Sequence, residues 1–130
     1  MLLKSLDNPR LSPIINHKIL LREITFLVNY KNEGSLEDLI NKKPKNSLFS
    51  DKLKGLTEKK AFYYFADILA GLRFLHKNNI HHGNLKPSNV IIGDSDRLEL
   101  SDYGFSSLQK KINLFALKKN EIDFIAPEVH

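Results

Sequence analysis

The 130-residue sequence contains no cysteine, which excludes both a disulfide framework and a thiolate metal site. A membrane-spanning helix needs about 20 consecutive apolar residues, and no uninterrupted apolar stretch of this sequence approaches that length. The charged residues Lys4 and Asp7 come too early to leave room for the core of a signal peptide. We therefore expect a cytoplasmic protein that has no membrane partner.

Basic residues are in excess, with 20 Lys and Arg against 15 Asp and Glu, and the net charge is +5. Such an excess can indicate an anionic partner. The lysines, however, fall in scattered pairs along the chain: Lys42-Lys43, Lys59-Lys60, Lys110-Lys111 and Lys118-Lys119. This arrangement favours a solvated surface over a nucleic-acid patch, so no nucleic-acid partner is expected.

The first 30 residues have the composition of short β-strands. Ile14-Ile15, Ile19–Leu21 and Ile24–Val28 are rich in β-branched and aromatic residues, and polar residues separate them. Arg22-Glu23 is the expected turn between the last two runs. An ordinary meander would have the same pattern, so these strands alone do not identify a fold.

Two helices are predicted after these strands. Ser35 is expected to cap a short helix from Leu36 to Ile40, and residues 41–55 are expected to form a loop. Thr57 is expected to begin a long helix that ends near Asn78. Its apolar residues recur at steps of three and four: Ala61, Phe65, Ile68, Leu72 and Leu75. This periodicity predicts that they form the face that packs against the core.

Three polar motifs surround a predicted hairpin in which Val90–Ile92 and Leu98–Leu100 flank a five-residue connection. His81–Asn89 (HHGNLKPSN) precedes the hairpin, Ser101–Gly104 (SDYG) follows it, and Ala126–Glu128 (APE) comes near the end. In this order the three resemble the protein-kinase signature of catalytic loop, DFG turn and APE segment. Any one motif would be weak evidence, but their order and separation make the resemblance specific.

The resemblance implies an α+β, protein-kinase-like fold in truncated form. Residues 1–31 would hold the last strands of the N-terminal lobe and the hinge. Residues 32–130 would be the first half of the mainly helical C-terminal lobe, up to the APE segment. The sequence contains neither the family's Gly-rich loop nor its V-A-I-K strand, and no large helical region follows the APE motif. We therefore expect the chain to represent the middle of the family's fold.

The resemblance also implies residues that meet the adenine of ATP. Val28 would occupy the gatekeeper position, and Asn29 and Tyr30 would belong to the hinge whose backbone meets the ring. Ile91 would pack beneath the ring, although the same residue type at this position also suits an ordinary core.

Metal ligands follow from the same resemblance. Asp102 would chelate the Mg²⁺ that bridges the nucleotide phosphates, and Asn89 would hold a second metal ion. Held at the two ends of the hairpin segment, they could converge on one site. The alternatives are a turn carboxylate for Asp102 and a side chain that caps the loop for Asn89.

The catalytic loop departs from the family pattern H-R-D-L-K-P-x-N. Gly83 replaces the Arg, and Asn84 replaces the Asp that accepts the proton of the substrate hydroxyl. An amide has no useful basicity, so Asn84 cannot act as that base. Lys86 matches the loop Lys of Ser/Thr-type kinases, which neutralises charge on the transferring phosphate, and His82 matches the structural His that braces the DFG turn.

These features favour a pseudokinase that binds or scaffolds a protein partner, with weak or absent ATP and Mg²⁺ binding. The first alternative is an active Ser/Thr protein kinase that acts on a protein substrate, with its remaining parts outside this chain. A second alternative is a remnant that no longer binds nucleotide at all. A Gly-rich loop and strand Lys upstream would favour the active enzyme.

Overall fold

Two antiparallel hairpins and two helices form the described part of the chain in the structure, which is a computed structural model. The described residues are 5–19, 24–41, 56–104 and Phe124. The predicted α+β class is confirmed. No helix within these ranges combines the length and the apolar character that a bilayer crossing requires.

The first hairpin pairs β1 (Ile14–Ile19) with β2 (Ile24–Val28). A bulge lies between Ile14 and Asn16 in this ladder. Ile14 and Ile19 fall in separate apolar runs of the sequence, but they belong to one strand. Because β1 is mostly exposed, it accepts polar residues in its middle. The predicted turn at residues 22–23 lies outside the described residues.

Both predicted helices form at their predicted caps. The Ser35 hydroxyl accepts a hydrogen bond from the Asp38 backbone N–H at the start of α1 (Leu36–Asn41), 3.2 Å away. The Thr57 hydroxyl accepts one from the Lys60 backbone N–H at the start of the second helix, 3.3 Å away. That helix, α2, spans Glu58–Lys77. The predicted loop after α1 lies mostly outside the described residues.

Helix α2 buries only part of the predicted face: Leu75 is buried, and Ile68 and Leu72 are partly buried against the core. Its buried positions are Tyr64, Asp67, Gly71 and Leu75. Ala61 and Phe65, which were predicted to face the core, are exposed. The reason is the close approach of the sheet at Gly71, where an added Cβ would lie 2.8 Å from the Leu100 side chain. Apolar periodicity alone could not detect a buried face that contains a glycine and an aspartate.

The second hairpin joins β3 (Val90–Ile92) to β4 (Leu98–Leu100) through the predicted connection. Ser95 and Asp96 in this connection have positive φ angles of 59° and 58°. In β3, Val90 and Ile92 are buried and the central Ile91 is only partly buried. This alternation turns Ile91 away from the core side of the strand.

Both edges of the second hairpin are paired with other segments. The Ser12 N–H donates to the Leu100 carbonyl (2.8 Å), and the Leu100 N–H donates to the Arg10 carbonyl (2.9 Å). On the opposite edge, the Ile92 N–H donates to the Gly34 carbonyl (2.9 Å). Because an isolated two-stranded hairpin is only marginally stable, these added pairings contribute to holding the hairpin in place.

The hydrophobic core gathers around this hairpin. Its buried side chains are Leu11, Ile14, Leu36, Tyr64, Leu75, Ile80, Val90, Ile92, Leu98, Leu100 and Tyr103. Leu98 and Leu100 are each 1% exposed, so β4 lies at the centre of the core.

A buried carboxylate connects α2 to the hairpin and to the N-terminal segment. Asp67 accepts hydrogen bonds from the Arg97 guanidinium, from the Leu98 backbone N–H (3.0 Å) and from the Arg10 guanidinium (3.3 Å). Burial opposes ionisation of Asp67. The Arg97 and Leu98 hydrogen bonds and the charges of Arg10 and Arg97 outweigh it, so the pKa of Asp67 is lowered. The carboxylate therefore stays charged inside the protein.

His82 holds the loop before β3 against the segment after β4. Its ring is buried, and Nδ1 accepts a hydrogen bond from the Asn84 backbone N–H (3.3 Å). Its carbonyl accepts one from the Gly104 backbone N–H (3.1 Å), and its ring meets the Tyr103 ring edge to face. Burial lowers the pKa of His82 to about 4, so the ring is neutral at pH 7.

The Asp67→Asn variant should lower the free energy of unfolding by about 3 kcal/mol, because it removes the charge of a buried carboxylate and leaves the partly buried Arg10 guanidinium without its counter-charge. Urea denaturation at pH 7 measures this change. Asp94→Asn is the matched control, since Asp94 pairs with Lys31 but its own side chain is 93% exposed. The Asp94→Asn variant should lower the free energy of unfolding by less than about 1 kcal/mol. Equal effects of the two variants would contradict the central role of Asp67.

Acidification should destabilise the protein through His82. The unfolded chain binds a proton near the ordinary pKa of 6.5, but folded His82 does so only near pH 4. The free energy of unfolding is therefore at its full value above pH 6.5. It decreases by about 3 kcal/mol as the pH falls towards 4. Denaturation at pH 7, 5 and 4 tests this, with His82→Asn as control because its amide oxygen can replace Nδ1 without titrating. If the free energy of unfolding of His82→Asn falls with pH as steeply as that of the unmodified protein, the dependence does not come from His82.

Candidate functional site

A cleft of about 500 Å³ lies where the first hairpin meets the open end of the second. Its apolar lining consists of Ile14, Phe26, Val28, Ile91 and Tyr103. Its polar lining includes Ser12, Lys31, Ser35, Asp38, Ser88, Ser101 and Asp102. The cleft thus combines apolar side chains with hydroxyl and carboxylate groups.

All four residues predicted to meet adenine line this cleft. Val28 and Tyr30 belong to its mouth, with 48% and 87% of their surface exposed, and Asn29 lies between them. Ile91 reaches the cleft because β3 alternates, with its two neighbours buried in the core. The cleft thus brings the partly buried Ile91 together with Val28, Asn29 and Tyr30.

Lys31 ties the segment after β2 to the second hairpin. Its ammonium group lies 3.1 Å from Glu99 and 3.4 Å from Asp94. The hydrogen bond to Glu99 is the main cause of a raised pKa for Lys31, which keeps the amine charged. Sequence reasoning placed Lys31 in the hinge but did not find this pairing, because a lysine alone carries no signal for its partner.

The catalytic-loop motif and the SDYG motif meet at the open end of the second hairpin. Val90 pairs with Leu100 in the antiparallel ladder, so Asn89 and Ser101 are brought side by side. The Ser101 backbone N–H and hydroxyl both donate to the Asn89 carbonyl, at 2.9 and 3.1 Å. Asp102 follows with a positive φ of 54° and lines the cleft.

Asn89 does not line the cleft. Its side chain is buried, and its amide N–H donates to the Asn84 carbonyl (2.8 Å). This contact is the loop-capping role that was the alternative to metal binding. With the nitrogen engaged, the amide oxygen is the Asn89 side-chain atom that could ligate a metal ion.

The donor set suits a hard divalent cation. Within the described ranges, no group of three or more His, Cys, Asp or Glu could hold a metal ion. Of the two predicted ligands, the Asp102 carboxylate lines the cleft and the Asn89 side chain does not. Mg²⁺ usually keeps several waters and binds one or two carboxylates plus substrate phosphates, so the Asp102 carboxylate is a ligand of the type that suits it.

Neither Asn84 nor Lys86 is among the residues that line the cleft. The backbone of Asn84 is held at both ends, by its N–H to His82 and by its carbonyl to Asn89. Its side chain is exposed, and that of Lys86 is partly buried. The loop is well defined, but the residue at its catalytic position carries an amide.

The remaining motifs lie outside the described residues. They are the APE motif at residues 126–128 and the segment that would be the activation segment, except for Phe124. Sequence reasoning also missed Asp67, Asp38 and Ser12. Asp67 holds the hairpin from below, whereas Asp38 and Ser12 line the cleft.

The chain is similar to a known protein family and to several known proteins. The profile of the family described as "Protein kinase domain" matches residues 2–130. The chain is 28% identical over 105 residues to Serine/threonine-protein kinase grp of Drosophila melanogaster, across 76% of the chain and 20% of that protein. It is 28% identical over 134 residues to CBL-interacting protein kinase 24 of Oryza sativa subsp. japonica, across 89% of the chain and 30% of that protein.

A third relative is U-box domain-containing protein 70 of Oryza sativa subsp. japonica, which is 38% identical over 87 residues. That match covers 65% of the chain and 10% of the relative. The chain therefore spans less than a third of the length of each of these proteins. Since the family profile matches nearly every residue, and since the loop, hairpin and SDYG turn meet at one cleft, the chain belongs to the protein kinase domain family.

Proposed function

We propose that this kinase-domain chain is a pseudokinase: it does not transfer phosphate at a useful rate and acts by binding a protein partner. The observation that carries the proposal is Asn84 at the position of the catalytic Asp. In this proposal residues 1–31 are the end of the N-terminal lobe with the hinge, and residues 32–130 are the C-terminal lobe up to the APE segment. The absence of cysteine supports a cytoplasmic location.

The contacts of the loop support a loss of chemistry without a loss of shape. The backbone of Asn84 keeps both of its hydrogen bonds, and Asn89 and Ser101 hold the loop against the second hairpin. None of these contacts uses the Asn84 side chain. The substitution therefore removes the general base from a loop whose conformation depends on other atoms.

Residual nucleotide binding is a second part of the proposal. Protein kinases use ATP with Mg²⁺, and the cleft brings Val28, Asn29, Tyr30 and Ile91 together with Asp102. We assign the adenine-binding role to the first four residues and the metal role to Asp102 with Asn89. Because Val28 is 48% exposed and Tyr30 is 87% exposed, we expect the adenine ring to be covered on one side only. Affinity should be high micromolar or weaker, about 5 kcal/mol.

The outer face of α2 supports a binding role. Phe62, Phe65 and Leu69 lie on this face and are 72%, 59% and 49% exposed. Their spacing of three and four residues places them on adjoining turns. A contiguous apolar surface of this kind marks an interaction site or an aggregation hazard.

The alternative function is ATP-dependent phosphoryl transfer to a protein by a Ser/Thr kinase whose other parts lie outside this chain. Lys86 favours it, because this residue matches the loop Lys of that class. The names of several relatives, such as Serine/threonine-protein kinase grp, also favour it. A Gly-rich loop and strand Lys encoded upstream of Met1 would strengthen this alternative.

The purified chain should show no transfer of labelled phosphate from ATP to itself or to a protein substrate. A general base contributes about 10²–10⁴-fold to the rate, and Asn84 forfeits most of it. The Asn84→Asp variant alone should stay inactive in this 130-residue form, because clamping of the phosphates from above is still missing. Transfer by the unmodified chain that Asp102→Ala abolishes would show that the pseudokinase proposal is wrong.

The purified chain should also self-associate through α2. Sedimentation velocity over a range of concentrations should show oligomers, and a Phe62→Gln, Leu69→Gln double variant should shift the population towards monomer. A Lys59→Gln, Lys77→Gln double variant on the same helix is the matched control and should not do so. A monodisperse monomer with cooperative melting would count against an exposed binding face.

A further inference from the structure

The outer face of α2 carries opposite charges towards its two ends. Glu58 lies in the first turn of the helix, and Arg73 lies about one turn before its end at residue 77. Both residues are exposed. The ion pairs that α2 forms with other described residues involve Lys60 and Asp67, which lie on the core side of the helix.

The apolar residues between these two charges are placed symmetrically along the helix. Phe62 lies four residues after Glu58, and Leu69 lies four residues before Arg73. Phe62 is 72% exposed and Leu69 is 49% exposed. Because residues four apart are neighbours on a helix surface, each apolar residue adjoins one charge. The face therefore has the same order of charge and apolar side chain from either end, with the sign of the charge reversed.

A second copy of α2 that runs in the opposite direction would meet this face with matching partners. With a two-fold axis between residues 65 and 66, Glu58 of each copy lies opposite Arg73 of the other. Phe62 of each copy likewise lies opposite Leu69 of the other. Since a two-fold interface uses the same surface on both subunits, each of these contacts occurs twice.

The centre of the face supports the same arrangement. Phe65 is 59% exposed, and its neighbour Ala66 is also exposed. Across the axis Phe65 of one copy lies opposite Ala66 of the other, so a large side chain meets a small one. A parallel pair would instead place Glu58 opposite Glu58 and Arg73 opposite Arg73, where like charges repel each other.

We propose that two copies of this chain form an antiparallel dimer through the outer faces of α2, with apolar contacts at the centre and ion pairs at both ends. The inference rests on the binding face of α2 in the proposed function and names the partner of that face. The segment from residue 58 to residue 73 is about 22 Å long at the rise of an α-helix. A contact of this length is small for a protein interface, so the dimer should be weak and reversible.

Exchange of the two charges tests the pairing of the ends. Glu58→Arg and Arg73→Glu should each raise the dimer dissociation constant about tenfold in sedimentation equilibrium at low salt, because each turns two attractions into two repulsions. An equimolar mixture of the two variants should regain the affinity of the unmodified protein. In the mixture, a copy with two arginines meets a copy with two glutamates, and a folding defect in either variant could not produce this recovery.

Matched controls separate these pairs from the net charge of the protein. Asp7→Arg and Lys18→Glu make the same two changes in charge at exposed positions outside α2. Neither control should change the dissociation constant by more than about twofold, because exposed charges far from the interface are screened.

The direction of the pairing is tested with single cysteines, since the natural sequence contains none. Ala66→Cys should be joined between copies by a short bifunctional maleimide, because the two positions lie beside the axis. Lys77→Cys should not be joined, because its two positions are about 35 Å apart along the helix axes. Equal crosslinking of the two variants would indicate a parallel pair and overturn the inference.

Two further results would overturn the inference in distinguishable ways. Dimers that neither charge variant weakens, or that the mixture does not restore, would refute this pairing but leave the outer face of α2 as a binding surface. A monomer at every protein concentration would refute the inference together with the binding face of the proposed function. The labelled-ATP assay of phosphoryl transfer does not depend on either result.

Discussion

The buried carboxylate of Asp67 is the interaction on which the rest of the described structure depends. It binds the guanidinium groups of Arg10 and Arg97 and the backbone N–H of Leu98, so one side chain joins three segments. Burying a charge is costly unless it is paired and hydrogen-bonded, and these three partners together offset that cost. The short second hairpin is thereby held against α2 at the start of β4.

From this hairpin the geometry of the site follows. Strands of three residues have little stability of their own, but both edges of this hairpin are paired, and one face of it packs into the core. Because the ladder is antiparallel, the residues just before β3 and just after β4 must lie side by side. This places the catalytic loop and the Asp102 turn at one end of the cleft.

The conformation of the loop around Asn84 does not depend on the Asn84 side chain. The loop is held by backbone groups and by the side chains of His82 and Asn89, which form hydrogen bonds with main-chain atoms. An Asp-to-Asn difference at position 84 leaves all of those contacts possible. An amide at this position therefore has little structural cost.

Charged residues that line the cleft also take part in contacts that hold the fold together. Lys31, the cation of the described lining, serves the structure by tying the segment after β2 to Glu99 and Asp94. Asp38 serves as part of the α1 cap, with Ser35. Charges engaged in this way contribute to the fold.

The sequence by itself determined the family, the helices, the second hairpin and the motif order, because caps, periodicity and turn residues are local signals. It also identified Asn84 as lacking a base, since that depends on side-chain chemistry alone. Only the tertiary structure decided which face α2 buries, because Gly71 and Asp67 face the core for reasons of close approach and ion pairing. It alone decided that Asn89 caps the loop and that Lys31 pairs with Glu99. Lys31 and Glu99 are far apart in the chain, and no local pattern encodes the distance between them.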